Sequence, residues 1–354
     1  MAEALSPPPG PPGPGRGARE PTHFAALDLG TNNCRLLIAT PTARGFRIVD
    51  AYSRIVRLGE GLSHSGRLSE AAMERALAAL RVCADKIRRK GPMRVRAIAT
   101  QACRTAANGP EFLAAVAERT GLKLDVITPR EEAQLAVAGC SNLIDPDAEA
   151  ALVLDVGGGS TEISWLDLRG RRAGERPRIQ AWLSIPIGVV TLAERFPEAE
   201  GPHDEAWYRA MVEAVKDPIA AFRHAEPLRP LFQRGRAHLI GTSGAITSLA
   251  GLHLGLARYE RSKVDGLWMT RGECEAVARR LAALTTRERA AQPCIGPDRA
   301  DLVLAGAAIL EAVQEAWPCE RVRVADRGLR EGVLMSLMSQ RRRRGRRRRT
   351  RRAA

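Results

Sequence analysis

The strongest constraint on this chain is an internal repeat. The stretches "FAALDLGTNNCRLLI" (24–38) and "ALVLDVGGGSTEISW" (151–165) share one frame: an apolar run, an aspartate, an apolar residue, a glycine, a polar turn and a second apolar run. The aspartates are Asp28 and Asp155, 127 residues apart. Apolar runs flanking a short polar turn predict a β-hairpin. A repeat with so long a period predicts two related domains rather than a solenoid. The 354-residue length suits two domains. Between and after the hairpins, strands alternate with helices, which indicates an α/β fold.

Several helices carry their own start and stop signals. In "LSEAAMERALAALRVCADKI", Met73, Leu77, Leu80, Ala84 and Ile87 recur at spacings of four and three, with Ser69 as N-cap. In "NGPEFLAAVAERTG", Asn108 caps, Glu111 follows three residues later and Gly121 stops the helix. In "TPREEAQLAVAGCSNL", Thr128, Pro129 and Glu131 fit N-cap, N1 and N3, so Glu131 reads as a capping-box acid. Glu132 has no such structural duty. The apolar segment "RADLVLAGAAILEAV" predicts a buried helix, and "RVRVADRGLREGVLMSLM" a strand, a turn and a closing helix.

Both ends differ from the body. Residues 1–21 are rich in Pro and Gly, and residues 341–354 hold ten arginines and no acid. Both are expected to be disordered tails. The formal charge is +15, so the rest of the chain carries only about +5. The arginine tail is either a tether for polyanions such as polyphosphate or RNA, or a solvated end without a role. No aromatic residue interleaves with it, so base stacking has no support. The seven cysteines contain no C-x-x-C pair and are odd in number. That argues against a disulfide framework or a zinc ribbon, and for reduced thiols in a cytoplasmic protein. No stretch approaches the length of a membrane helix, and the N-terminus lacks the apolar core of a signal peptide.

The hairpin turns carry the chemistry. Gly157, Gly158 and Gly159 let backbone approach a ligand and, at positive φ, form an anion nest, with Ser160 and Thr161 adding hydroxyls. Asp155 at a strand end can hold a divalent cation; Asp28 has the same choice, and Glu162 can join Asp155 or be a plain strand residue. The first copy has Thr31, Asn32 and Asn33 in the turn. Two such turns facing each other would clamp a phosphate from both sides. Arg35, inside the first hairpin, wants an anionic partner, either substrate phosphate or a structural carboxylate. Neither turn is a P-loop, and no G-x-G-x-x-G links a strand to a helix.

These stretches, together with "ATQACRTAAN", "TPREEAQLAVAG", "SIPIGVVTLAERF", "GTSGAITSLA" and "DRGLREGVL", resemble the exopolyphosphatase / guanosine pentaphosphate phosphohydrolase family. That family lies in the sugar kinase, Hsp70 and actin superfamily. The resemblance implies two ribonuclease H-like, actin-like ATPase domains around a central cleft. It implies domains over about 22–145 and 146–339, with the helix of 326–339 able to pack back on the first. It implies hydrolysis of a terminal phosphoanhydride, of polyphosphate or guanosine pentaphosphate, assisted by Mg²⁺. Glu132 matches the family's general base and Arg104 a phosphate-contacting arginine. Relatives often form homodimers. The "GTSGA" turn at 241–245 matches the site where nucleotide-binding relatives hold adenosine; Gly241 and Gly244 can equally serve packing alone. Asp326 ends a strand near the cleft or caps a helix. One departure is Gln134, where many members carry arginine. Another is length: longer relatives have a further C-terminal domain, so this chain reads as the short form. Two other functions compete, an ATP-dependent enzyme of the same superfamily and a polyanion-binding protein acting through its tail.

Overall fold

The computed structural model describes residues 23–43, 45–172, 175–198 and 205–339. Both tails lie outside these residues. Two mixed sheets organise the chain. In the first, β1 (His23–Leu29), β2 (Asn33–Thr42) and β3 (Gly45–Ile55) form an antiparallel meander, and β4 (Met93–Ala99) and β5 (Leu124–Val126) add in parallel on the far side of β1, giving the order β3-β2-β1-β4-β5. The second sheet repeats the plan. Its meander is β6 (Ala150–Val156), β7 (Thr161–Asp167) and β8 (Arg178–Ile185). β9 (Ala237–Thr242) and β11 (Arg321–Ala325) follow in parallel, and β10 (Trp268–Thr270) closes the edge: β10-β11-β9-β6-β7-β8. The sequence repeat is therefore a repeat of topology.

Alternation along the strands explains how each sheet is covered. From β1, Ala25, Leu27 and Leu29 face the helices Glu70–Arg89 and Gly109–Thr120. Phe24 and Ala26 face the other way, onto Val333, Leu334 and Leu337 of the closing helix over 329–339. In the second sheet Leu152 and Leu154 face a large core built on the buried Val303–Ala316 helix. Val153 and Ile240 point oppositely, toward Val137 and Cys140 of the Pro129–Cys140 helix. That helix also gives Leu135 to the cluster under the first sheet. It is apolar on several sides because it lies between both sheets, which puts its N-terminal turn, with Glu132, between the domains.

Two local motifs are overridden by tertiary partners. Asn108 makes no cap; its Oδ1 accepts from Leu68 N at 2.8 Å and its Nδ2 donates to Leu68 O at 3.0 Å. Thr128 does cap, accepting from Glu131 N at 3.2 Å, but the Glu131 carboxylate turns to Arg96 instead of completing a capping box. Ser69 caps as its sequence predicts, accepting from Ala72 N at 3.3 Å.

The closing helix and the Pro129–Cys140 helix touch backbone to backbone. A Cβ on Gly139 would sit 1.9 Å from Gly328 O, and one on Gly332 would sit 2.0 Å from Leu135 O. Carbonyls cannot swing aside as a side-chain end can. Gly139→Ala is expected to cost about 3 kcal/mol of stability through overpacking, read as a lower urea midpoint at unchanged m-value.

His238 gives the fold an acid-sensitive point. It is fully buried in β9, its Nε2 accepts from Asp145 N at 3.1 Å, and its ring meets Trp268 edge-on at 5.1 Å between centroids. Burial pushes the imidazole down to about 4 from 6.5. Between those pH values the unfolded chain binds the extra proton, so stability rises with pH through this window and is lost as pH falls. The full contribution is about 3 kcal/mol. His238→Gln should remove this step from the pH–stability curve, so that the difference between the two curves carries it; curves that stay parallel would remove His238 as its source.

Candidate active site

A cleft of about 490 Å³ lies between the sheets and is lined by both hairpin turns. The turns close in the same way. Gly30 N donates to Asn33 O at 2.8 Å, and Gly157 N donates to Ser160 O at 2.9 Å. The loops are pressed together: a Cβ on Gly158 would lie 3.0 Å from Asn32 N and 3.0 Å from Thr31 Cβ, and one on Gly159 would lie 2.0 Å from Gln101 Oε1. None of the three glycines has positive φ. The expected left-handed nest is therefore not formed; the glycines are required by close packing, against the facing loop at Gly158, against Gln101 at Gly159 and within the turn at Gly157, where a Cβ would lie 2.7 Å from Ser160 O. The carbonyls of Gly157 and Gly158 accept from Val189 N at 3.0 Å and Val190 N at 2.8 Å, at the start of the Val189–Arg195 helix. The amides of Thr31, Asn32, Gly158 and Gly159 have no partner among the described residues. Donors from both loops thus remain available to an anion.

The repeat also sets the charges. Asp28 pairs with Arg35 across β1 and β2; at the equivalent positions, Asp155 pairs with Glu162 across β6 and β7. One hairpin sets an acid against a cation and the other sets two acids side by side, where like charges repel. Burial and Glu162 push Asp155 up to about 8. Burial also raises Asp28, which Arg35 and Arg330 partly offset. Burial raises Glu162, against hydrogen bonds from Ser184 (2.9 Å) and Ser160. Glu132 is 7% exposed and is pushed up to about 9, by burial first and then by Glu162 and Asp155. Four carboxylates thus crowd one cleft.

A magnesium site can be tested against these residues. The buried Asp28 Oδ1, Asn32 Oδ1 and Asn33 Oδ1 have no hydrogen-bond partner. Acceptors orphaned beside mutually repelling acids suit a cation. Among the described residues no three His, Cys, Asp or Glu side chains form a complete ligand set. Mg²⁺ usually keeps waters and takes one or two carboxylates plus substrate phosphates.

Most of the residues singled out in the sequence meet here: Asp28, Thr31, Asn32, Asn33 and Arg35 from one domain, Glu132 from the bridging helix, and Asp155, Gly157, Gly158, Gly159, Ser160 and Glu162 from the other. Two do not line the cleft. Thr161 is fully buried and its hydroxyl donates to Ile187 O at 2.7 Å, so it is withdrawn from the phosphate donors. Arg104 sits behind Glu132: its Nη1 donates to Ile127 O at 2.7 Å and lies 3.4 Å from Glu132 Oε2. Gln134 is exposed and outside the cleft, so that departure leaves the site untouched. Gly244 lines the cleft, and a Cβ there would meet Arg35 Nη2 at 3.6 Å and Arg299 at 3.7 Å. Asp326 accepts from the Tyr259 hydroxyl at 2.8 Å.

The sequence pattern of the Ppx/GppA phosphatase family matches residues 37–341. The chain belongs to the Ppx/GppA phosphatase family. It is 30% identical over 331 residues to exopolyphosphatase 2 of Mycobacterium tuberculosis, covering 89% of this chain and 98% of that one. It is also 30% identical over 320 residues to the guanosine-5′-triphosphate,3′-diphosphate pyrophosphatase of Photobacterium profundum, covering 90% of this chain and 60% of that longer protein. Among solved structures, an exopolyphosphatase from Cytophaga hutchinsonii superposes with a TM-score of 0.77 at 25% identity over 90% of this chain and 98% of the other. The Aquifex aeolicus Ppx/GppA family member does so with 0.72 at 29% identity over the same shares. Membership in the Ppx/GppA family makes the chain a phosphoanhydride hydrolase and confirms the two-domain actin-like fold. Among the described residues, no helix is long and apolar enough to cross a membrane.

The Ppx/GppA cleft holds cations that sequence reasoning passed over. Arg299 and Arg330 line it beside Arg35, and none of the three has an ion-pair partner among the described residues. Burial and Arg35 both lower Arg330. Arg330 sits inside the "DRGLREGVL" stretch, where its type was visible but not its direction. Arg299 carried no local signal.

Proposed function

We propose that the cleft removes the terminal phosphate of inorganic polyphosphate or of guanosine pentaphosphate by attack of a water that Glu132 deprotonates. The observation that carries this reading is the meeting of the two hairpin loops, with unpartnered amides on both and a buried carboxylate between them. Those amides and Ser160 bind the oxygens of the terminal phosphate, in the manner of a preorganised oxyanion site. One or two of the carboxylates Asp28, Asp155 and Glu162, with waters, would hold Mg²⁺, which would supply neutralisation of charge on the transferred phosphoryl group. Glu132 is walled off from bulk water and held by Arg104, so it is positioned to take a proton from a water facing the phosphorus. Burial raises its affinity for protons, so it is a stronger base than a surface carboxylate once ionised, and Arg104 and a cation in the cleft would favour that ionised form. Arg35, Arg299 and Arg330 face the rest of the substrate, where unpaired guanidiniums fit a leaving phosphate chain.

Purified protein with Mg²⁺ should release phosphate from long-chain polyphosphate or guanosine pentaphosphate, compared at equal concentrations of phosphate ends. Release from neither would overturn the reading. The ten arginines of 341–354 add a non-specific polyanion tether on this account. Deleting them should weaken polyphosphate binding and reduce its salt slope by several units, read by titration at stepped ionic strength. An unchanged slope would free the tail of that role.

A further inference from the structure

The segment 56–63 joins the two phosphate loops from outside the cleft. On its own domain it holds the first loop. Val56 N and Arg57 N both donate to Asn32 O, at 2.8 and 3.1 Å, and Gly59 N donates to Thr31 O at 2.9 Å. Toward the other domain it makes two ties. Arg57 places a two-pronged fork on Asp301 at 2.7 and 3.0 Å, and Nη2 also donates to Asp298 O at 3.2 Å. Gly61 N donates to Glu194 Oε1 at 2.8 Å, and Ser63 Oγ donates to Glu194 Oε2. Glu194 stands on the Val189–Arg195 helix, whose first amides hold the carbonyls of Gly157 and Gly158. Continuous hydrogen bonds therefore run from Asn32, through 56–63 and Glu194's helix, to Gly158.

Arg57 has φ of +45°, and among the described residues it is the one non-glycine with positive φ. Such a conformation persists only where surroundings enforce it, and it concentrates at functional sites. The enforcing contacts are visible: its amide is bound to Asn32, its carbonyl accepts from Arg75 Nη2 at 3.3 Å, and its guanidinium is bound across the domain gap. The Arg57–Asp301 pair is about one-third exposed on each side. A pair so wet adds little to overall stability, so its use is geometric.

We propose that segment 56–63 is a brace that sets the spacing of the two phosphate loops, with Arg57, Glu194 and Asp301 as positioning residues. Closing the domains and assembling the phosphate clamp are then one event. The proposal rests on the phosphohydrolase reading of the cleft, but its geometric part can be tested apart from it.

Asp301→Ala and Glu194→Ala alter the far domain and leave the segment itself intact. Each should lower kcat for polyphosphate about tenfold, because small misplacements of bound groups are costly to turnover, with KM and melting temperature near wild type. Asp301→Glu should recover part of the loss. Arg57→Gly removes the fork while relieving the backbone, and in the Asp301→Ala background it should add no further loss. Dyes on Glu118→Cys and Arg279→Cys, both exposed on opposite domains, report the domain spacing; the native cysteines are buried. That spacing should broaden in Asp301→Ala. Wild-type kcat in both far-domain variants, an additive loss on adding Arg57→Gly, or an unchanged spacing would overturn the brace. Absence of phosphate release by the wild type would instead defeat the functional reading, and the spacing would still decide the brace.

Discussion

Glu132→Gln is expected to slow phosphate release about a thousandfold, within the range that a positioned general base supplies. Affinity for substrate should hold or improve. Glutamine keeps the shape of a side chain that is 7% exposed, and it adds no charge to a cleft that already holds Asp28, Asp155 and Glu162. The change therefore deletes proton acceptance without adding repulsion of a polyanion. In steady-state terms kcat falls while KM does not rise, the pattern of an interaction made only in the transition state. A rise in KM at constant kcat would reassign Glu132 to binding. Unchanged turnover would remove it from the chemistry.

Gly188→Ala is expected to lower kcat/KM about a hundredfold without unfolding the protein, through displacement of the glycine loop. Gly188 has φ of −126° and ψ of −176°, a conformation that alanine adopts freely. The cost is all in the added methyl. It would lie 2.4 Å from Gly158 C, 2.5 Å from Gly158 O and 2.6 Å from Gly157 O. These are backbone atoms of the loop that lines the cleft, and their carbonyls anchor Val189 and Val190. Relief requires moving the loop itself, which changes its fit against Thr31 and Asn32. A protein that still folds cooperatively, with a lowered melting temperature from overpacking and activity lost while it is fully folded, would match this account. Activity within about twofold would show the loop to be more compliant than its contacts imply.

The parts of the fold legible in the sequence were those governed by local pattern. The repeat around Asp28 and Asp155 predicted two hairpins, and both close through the same glycine hydrogen bond. The helix start at Ser69 and the stop at Gly121, with φ of 72°, followed from short-range chemistry. What escaped was decided at long range. Asn108 and Glu131 had good capping contexts, but Leu68 and Arg96 supplied better partners once the chain had folded. The glycines 157–159 suggested positive φ, whereas close neighbours are what exclude side chains there: Ser160 at Gly157, the facing loop at Gly158, and Gln101 at Gly159. Thr161 sits in a row of turn residues, yet β pairing turns its hydroxyl toward Ile187. Arg57 gains its meaning from Asp301 across a domain gap and Gly188 from the glycine loop some thirty residues upstream, contacts that the local sequence does not specify.

The most direct measurement is a crystal structure of Glu132→Gln soaked with a short polyphosphate chain. The account predicts the terminal phosphate between the Gly30–Asn33 and Gly157–Ser160 turns, bonded to amides of both, with residue 132 facing the phosphorus and the remaining chain running toward Arg35, Arg299 and Arg330. A terminal phosphate held by one turn alone, or bound away from residue 132, would contradict it.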